Sequence, residues 1–160
     1  MSVSPTIQEF LRRSEVEYTV FPHDRAYTAR EEAAVASVPE RNWAKVVACF
    51  AEGEPVQAVV PADHDVELAK LARLVGTPHL RMATEDELNW LYPDCEPGAM
   101  PPFGPLFHQH VYVDERLAAD ELIAFNAGTY GDAVAMRFPD FQSVTRPIIG
   151  RFARPKRFRL

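Results

Sequence analysis

The 160-residue sequence predicts a single domain of mixed α/β (α+β) class, and two observations carry that expectation. Apolar, β-prone runs and amphipathic helical segments are interspersed along the chain. Links of hairpin length occur beside links long enough for a helical crossover, which is not the strict alternation of a βαβ series. The length is sufficient for one hydrophobic core.

Each element has a local reason. Ser4-Pro5 supplies a cap and a first-turn proline for a short helix with Ile7, Phe10 and Leu11 on one face. Val16 to Phe21 reads as a strand. Thr28-Ala-Arg-Glu31 is a capping-box pattern, and the Ala-rich stretch behind it is expected to be helical to about Val38. Trp43 to Phe50 and Val56 to Val60 are strands joined by a hairpin at Glu52-Gly53-Glu54. Asp65 is expected to cap a helix carrying Leu68, Leu71, Ala72 and Val75, stopped by Gly76. His79 to Met82 is a brief strand, and Thr84-Glu-Asp-Glu87 is a second capping box opening a helix towards Tyr92. Val111–Val113, Leu122–Asn126 and Ala133–Phe138 read as three further strands, and Pro139 marks the start of a last short helix.

Composition narrows the function classes. Apolar content of 47% and charged content of 25% are those of a soluble globular protein. No apolar run reaches transmembrane length, and the N-terminus has no basic start followed by an apolar stretch, so a cytoplasmic protein without a membrane partner is expected. Cys49 and Cys95 lack metal or disulfide spacing, and Cys49 lies in an apolar run that reads as core. A net charge of −6 argues against a general nucleic-acid binder. The last ten residues nevertheless hold Arg151, Arg154, Lys156, Arg157 and Arg159 and no acid. The chain thus reads as a domain over 1–150 and a basic tail over 151–160. That tail either meets phosphates or only aids solubility.

Two features carry chemistry. Asp94 to Gly104, D-C-E-P-G-A-M-P-P-F-G, cannot continue a helix or a central strand, because proline removes donors and fixes φ while glycine permits sharp turns. It is a stiff, pre-shaped loop. Lys45 is the one charge in W-A-K-V-V-A-C-F, a strand apolar on both faces. A buried ammonium is costly, so Lys45 either snorkels to solvent near the strand start or lines a pocket.

The histidines are less informative. His108-Gln-His110 has a spacing that can serve a metal, but no third ligand is suggested. His23-Asp24 suits loop capping better than a base–orienter pair, and His64 sits among Asp63, Asp65 and Glu67 in what reads as a solvated helix start. No nucleotide-binding glycine motif and no serine-hydrolase elbow occurs, so no cofactor is expected.

Taken in order, F-P-H-D, Y-T-A-R-E-E-A-A, A-K-V-V, V-V-P-A-D, P-G-A-M-P-P-F-G, V-Y-V-D-E and F-N-A-G-T make the chain resemble the YbaK/EbsC family of aminoacyl-tRNA deacylases, related to the editing domain of bacterial prolyl-tRNA synthetase. The resemblance spans roughly residues 15 to 150. It implies a curved, largely antiparallel central sheet flanked by helices, and metal-independent hydrolysis of a small amino acid (Ala, Ser or Cys) from mischarged tRNA, commonly proline tRNA. It places the functional lysine at Lys45, the G-x-x-x-P loop at Gly98 to Pro102, and the pocket between that loop and the helix near Thr28. Tyr130 stands where the family often has histidine.

The expected site therefore has Lys45 and Gly98 in catalysis, with Thr28, Ala99, Met100, Pro101, Pro102, Phe103, Gly104 and Tyr130 against the substrate. Backbone N–H groups of Gly98, Ala99 and Met100 are the candidate donors to the ester carbonyl, since Pro101 and Pro102 have none to offer. The expected partners are the tRNA acceptor end and a synthetase. The alternative from another class is a non-catalytic module binding a small ligand or an aminoacyl-adenosine end in the same pocket.

Overall fold

The computed structural model describes residues 3–156. Helix α1 (Pro5–Arg13) starts at Ser4, whose hydroxyl accepts from the Ile7 N–H, and it buries Ile7 and Leu11. Strand β1 (Tyr18–Pro22) leads to α2 (Ala29–Val35), which ends about three residues before the expected Val38 because Ala36 closes it and Ser37 turns left-handed. Strands β2 (Ala44–Ala51) and β3 (Glu54–Pro61) pair from Ala44↔Pro61 to Ala51↔Glu54. Their two-residue turn has Glu52 at φ 52° and Gly53 at φ 80°, the double positive φ that matches strand twist in tight hairpins.

The helix start expected at Asp65 is the clearest local difference. His64–Val66 forms β4, and α3 (Leu68–Val75) begins after Glu67, which offers no side-chain cap. Asp65 is drawn into a strand because β4 pairs antiparallel with β10 (Ala153–Pro155), a partner nearly ninety residues away. Next come β5 (Leu80–Met82) and α4 (Glu85–Leu91), where both arms of the Thr84–Glu87 capping box are formed. After the Gly/Pro loop follow β6 (His110–Asp114), α5 (Glu115–Ala118), β7 (Leu122–Asn126), β8 (Asp132–Arg137), α6 (Phe138–Thr145) and β9 (Ile148–Gly150).

Three sheets result among the described residues: β5-β2-β3-β6-β9, β1-β8-β7 and β10-β4. The two smaller ones are antiparallel, whereas the five-stranded sheet is mixed, with β3·β6 and β6·β9 running parallel. The main core lies where Val46, Ala48, Val59, Val111 and Val113 of the large sheet meet Ile123, Phe125, Val134 and Met136 of the three-stranded sheet, closed by α1 and α6. The opposite face of the large sheet packs Cys49, Ala58 and Val60 against Leu71 of α3 and against Phe152. Such alternation on both sides of one strand is what made β2 apolar throughout.

Residues 151–156 belong to this architecture. Phe152 is fully buried, and the Asp114 carboxylate accepts from the Phe152 and Ala153 N–H groups at 3.0 and 2.8 Å. Burial alone would raise the Asp114 pKa, but these backbone donors, with those of Arg116, hold it below the ordinary value. Of the basic tail residues, Arg157 and Arg159 lie outside the described residues. No helix among those described is long and apolar enough to cross a membrane.

Candidate active site

The two larger sheets touch where Trp43 bridges to Ala124, and α2 packs over that junction through Ala29 and Ala33. A cavity of about 230 Å³ opens there, walled by the start of β2, the N-terminal half of α2, the Gly/Pro loop and the end of β7. That is smaller than the roughly 300–1,000 Å³ that holds a drug-sized ligand, so it suits one small group.

Lys45 lines the cavity from β2. Its Nζ reaches Asp65 Oδ1 of β4 at 3.1 Å, with the lysine side chain 22% exposed. Burial lowers the Lys45 pKa, Asp65 counters it, and the neighbouring Lys156 adds to the lowering. The strand pairing that removed Asp65 from its expected helix cap is therefore what delivers its carboxylate to Lys45. Lys156, from the far end of the chain, lines the same cavity, and its N–H donates to the Asp63 carbonyl at 3.0 Å.

The Gly/Pro loop divides in two. Gly98 and Met100 line the cavity, and Gly98 adopts φ 86°, a left-handed conformation that an L side chain enters only under strain. Neither Gly98 nor Met100 donates its N–H to a protein acceptor among the described residues, whereas Ala99 donates to the Glu96 carbonyl at 2.9 Å. Ala99 is thus committed to the loop's own turn and is removed from the donor set expected for it. Glu96 and Ala99 are in turn tied to Gly128 through two 2.8 Å bonds. The rest of the loop faces inward. The Pro101 carbonyl accepts from Gln57 at 3.0 Å, and Pro102 is buried. Phe103 packs in the core with ring centroids 5.0 Å from Phe10 and 5.2 Å from Phe125. Gly104 is pressed against the Gln109 backbone and Val111, where any side chain would collide. Pro101, Pro102, Phe103 and Gly104 therefore hold the loop in shape and do not line the cavity.

Thr28 is on the cavity wall, and its Oγ1 accepts from the Glu31 N–H at 3.2 Å as the cap of α2. Tyr130 stands one layer back. Its hydroxyl donates to the Pro97 carbonyl, its N–H donates to Glu96 at 3.1 Å, and its ring packs 5.2 Å from Tyr27, which does line the cavity. It buttresses both the loop and a cavity wall.

Two cavity residues lie inside the quoted motifs but were given no role in the expected site. Glu32 of α2 is 4% exposed and Asn126 at the end of β7 is 5% exposed, and the Asn126 amide donates to the Glu32 carboxyl. Burial, with some help from Glu31, pushes the Glu32 pKa up to about 8, so this acid is predominantly neutral at pH 7. One signal for it is in the sequence. Glu32 sits three residues after Ala29 and one before Ala33, on the face of α2 that packs inward.

The other chemical candidates fall away from the site. Burial raises the Cys49 thiol to about 11 and, with the nearby Asp94, the Cys95 thiol to about 12, so neither is a thiolate nucleophile at neutral pH. His108 caps a 3-10 turn in left-handed conformation, His110 is exposed at the start of β6, and no group of three or more His, Cys, Asp or Glu among the described residues is placed to hold a metal ion. His23 is a loop residue whose Nδ1 meets the Asp24 carbonyl at 2.7 Å.

Comparison with known proteins bears on the family and the fold. Residues 23–144 match the model of the aminoacyl-tRNA editing domain. The chain belongs to that family. Its curated relatives include the proline–tRNA ligase of Nitratidesulfovibrio vulgaris, 30% identical over 99 residues that make up 62% of this chain and 17% of the ligase. The ligase of Geobacter metallireducens is 43% identical over 49 residues, 31% of this chain and 9% of the ligase. The chain thus spans less than a fifth of the length of the ligases it matches. Among solved structures, a candidate trans-editing enzyme for prolyl tRNA synthetase superposes with a TM-score of 0.80 at 23% identity, over 96% of this chain and 99% of that one. The hypothetical protein APE2540 does so with a TM-score of 0.83 at 18% identity, over 93% and 99%. These likenesses establish the fold of the editing domain for this chain.

Proposed function

We propose that this editing domain is a free-standing deacylase that hydrolyses a small amino acid from mischarged tRNA, with a proline tRNA as the leading candidate, and that it does so without a metal. The observation that carries the reading is that Lys45, Gly98 and Met100 border one small cavity, and that the Gly98 and Met100 N–H groups are not spent on a protein acceptor among the described residues. The ester between an amino acid and the terminal ribose is already activated, so hydrolysis depends on positioning and on charge stabilisation more than on a strong nucleophile.

In this reading water adds to the ester carbonyl carbon, and the carbonyl oxygen becomes an oxyanion facing the Gly98 and Met100 N–H groups. Collapse of the tetrahedral intermediate breaks the bond to the ribose oxygen, which leaves as the hydroxyl. Lys45, held by Asp65, supplies positive charge either to that oxyanion or to the adenosine phosphate at the cavity mouth. Among the described residues the one carboxyl lining the cavity is Glu32, which burial holds towards its neutral form, so in this reading the ribose's neighbouring hydroxyl or the substrate amino group orients the attacking water. Lys156 at the rim offers a second contact to the acceptor end. A synthetase remains the natural protein partner, as the source of mischarged tRNA.

The test is deacylation of Ala-, Ser- and Cys-tRNA by the wild type and by Lys45→Ala. Equal rates for the two on every tRNA would overturn the role of Lys45. Binding of a non-hydrolysable aminoacyl-adenosine without turnover of any charged tRNA would instead establish a non-catalytic module.

A further inference from the structure

Residues 151–156 follow the editing-domain region of 23–144, yet they reach the candidate active site. Lys156 lines the cavity with Lys45, and strand β10 brings it there. Among the described residues β10 pairs with β4 alone, as a two-stranded ribbon outside both larger sheets. Such a ribbon is marginally stable at best in isolation. Whatever seats it decides where Asp65 and Lys156 stand.

The pairing places both groups at once. Arg154 lies opposite Asp65 in the register. The Glu67 N–H donates to the Phe152 carbonyl at 2.8 Å at one end, and the Lys156 N–H donates to the Asp63 carbonyl at 3.0 Å at the other. A slip of one residue would turn every side chain of β10 to the opposite face and take Lys156 out of the cavity. Phe152 resists that slip from the apolar side, fully buried in the cluster of Cys49, Ala58 and Leu71.

Asp114 resists it from the polar side. Its fully buried carboxylate stands at the end of β6. Oδ2 accepts from the Phe152 and Ala153 N–H groups at 3.0 and 2.8 Å, while Oδ1 accepts from the Arg116 N–H at 3.0 Å. The Arg116 guanidinium lies 3.3 Å from the same Oδ1. Phe152 and Ala153 spend both N–H groups here, so a shifted strand would leave two buried donors without an acceptor. One register is strongly preferred. Asp114 does not itself line the cavity.

We propose that Asp114 is a positioning residue of the candidate active site: by seating β10 in one register it keeps Asp65 on Lys45 and Lys156 in the cavity, where the second ammonium meets a phosphate of the acceptor end. The proposal rests on the deacylase reading for that phosphate and adds the device that builds the site. The charged groups set around Lys45 are Asp65 of β4, Lys156 after β10 and Glu32 of the cavity wall, with the Asp63–His64 pair next along the chain. Asp65 raises the Lys45 pKa and Lys156 lowers it, so the Lys45 titration reports whether both are in place.

The experiment is a double-mutant cycle of wild type, Lys156→Met, Asp114→Ala and the double variant, with circular dichroism to establish folding. One readout is single-turnover deacylation of Ala-, Ser- and Cys-tRNA. The other is the titration of the Lys45 side chain, followed by NMR without substrate. Lys156→Met should slow deacylation by about tenfold, the loss of one charge-assisted contact, and move the Lys45 titration to higher pH because a neighbouring cation is gone. In the Asp114→Ala background the same substitution should slow the reaction by less than about twofold and leave the Lys45 titration where it is, since Lys156 has already lost its place. Asp114→Asn, whose one carbonyl oxygen can still accept from Phe152 and Ala153, should restore most of the coupling. Should Asp114→Ala fail to fold, Phe152→Leu loosens the same seat from its apolar side and takes its place in the cycle. Effects of Lys156→Met that are equal in both backgrounds, or a Lys45 titration that Lys156→Met does not move in the wild type, overturn the proposal. If the wild type deacylates no tRNA the deacylase reading falls, and the NMR cycle alone decides the positioning role.

Discussion

The cavity has two chemically opposite sides. Lys45 is a half-buried cation with a carboxylate partner at 3.1 Å, whereas Glu32 is an almost fully buried acid whose hydrogen-bond partner is a neutral amide. Both sides feel burial, and both shift towards the neutral form, but only Lys45 has an opposite charge to resist the shift. A charge held by a partner at the rim can stay charged and act on a phosphate or an oxyanion. A lone acid inside gives up its charge and becomes a donor–acceptor.

The largest expected effect is on stability at the Glu32 side. In the folded chain its pKa is about 8, against 4.5 for the exposed group. Between those values the unfolded chain releases the proton while the folded chain keeps it, so stability falls as pH rises through that window and levels off above it. Glu31 on the same helix and Tyr130 beside it are the titratable neighbours that would modulate the curve. Glu32→Gln should therefore lose less stability than the wild type between pH 5 and pH 8, by on the order of 4 kcal/mol, measured by denaturant unfolding at each pH. Parallel curves for the two proteins would mean that Glu32 ionises freely in the fold.

Next in size is Lys45→Ala, which should slow deacylation by about 100-fold, equivalent to about 2.7 kcal/mol, while leaving unfolding little changed. Asp65→Asn should be milder, less than about tenfold at pH 7, because the ammonium remains but loses its carboxylate. Its signature is in the pH profile. Without Asp65, burial lowers the Lys45 pKa further, so the alkaline loss of activity should move to lower pH than in the wild type. An unshifted alkaline limb would show that Lys45 ionisation does not control the rate. The smallest effect expected is that of a chelator, under which the rate should not change.

Much of the fold was legible because its signals are local. The Thr28 and Thr84 caps, the Glu52-Gly53 turn and the double-sided apolarity of β2 each depend on residues within one or two turns of chain. Strands β4, β9 and β10 were not legible. Each is three residues long and exists only through pairing with a distant segment. The same non-locality hid Asp65, whose place beside Lys45 depends on β10 drawing it out of a helix cap. On the loop, Gly98 and Met100 lie on the cavity wall, while Phe103 and Gly104 went to the core because the apolar surface of the one and the small size of the other suit close packing there. Glu32 could have been suspected from its spacing to Ala29 and Ala33, but its partner Asn126 lies 94 residues on, on another element.

In the proposed function one cavity receives the aminoacyl end of a tRNA, with Lys45 and the Gly98–Met100 backbone at the ester. The most direct measurement is an amide NMR titration of the wild type with the seryl amide of 3′-amino-3′-deoxyadenosine. The largest shifts should fall on the Gly98 and Met100 N–H groups, with the Lys45 ammonium and the Asn126 side-chain amide also moving. Saturable shifts confined to another surface, such as the groove between Val3–Thr6 and Gly128, with Gly98, Met100 and Lys45 unmoved, would contradict the account.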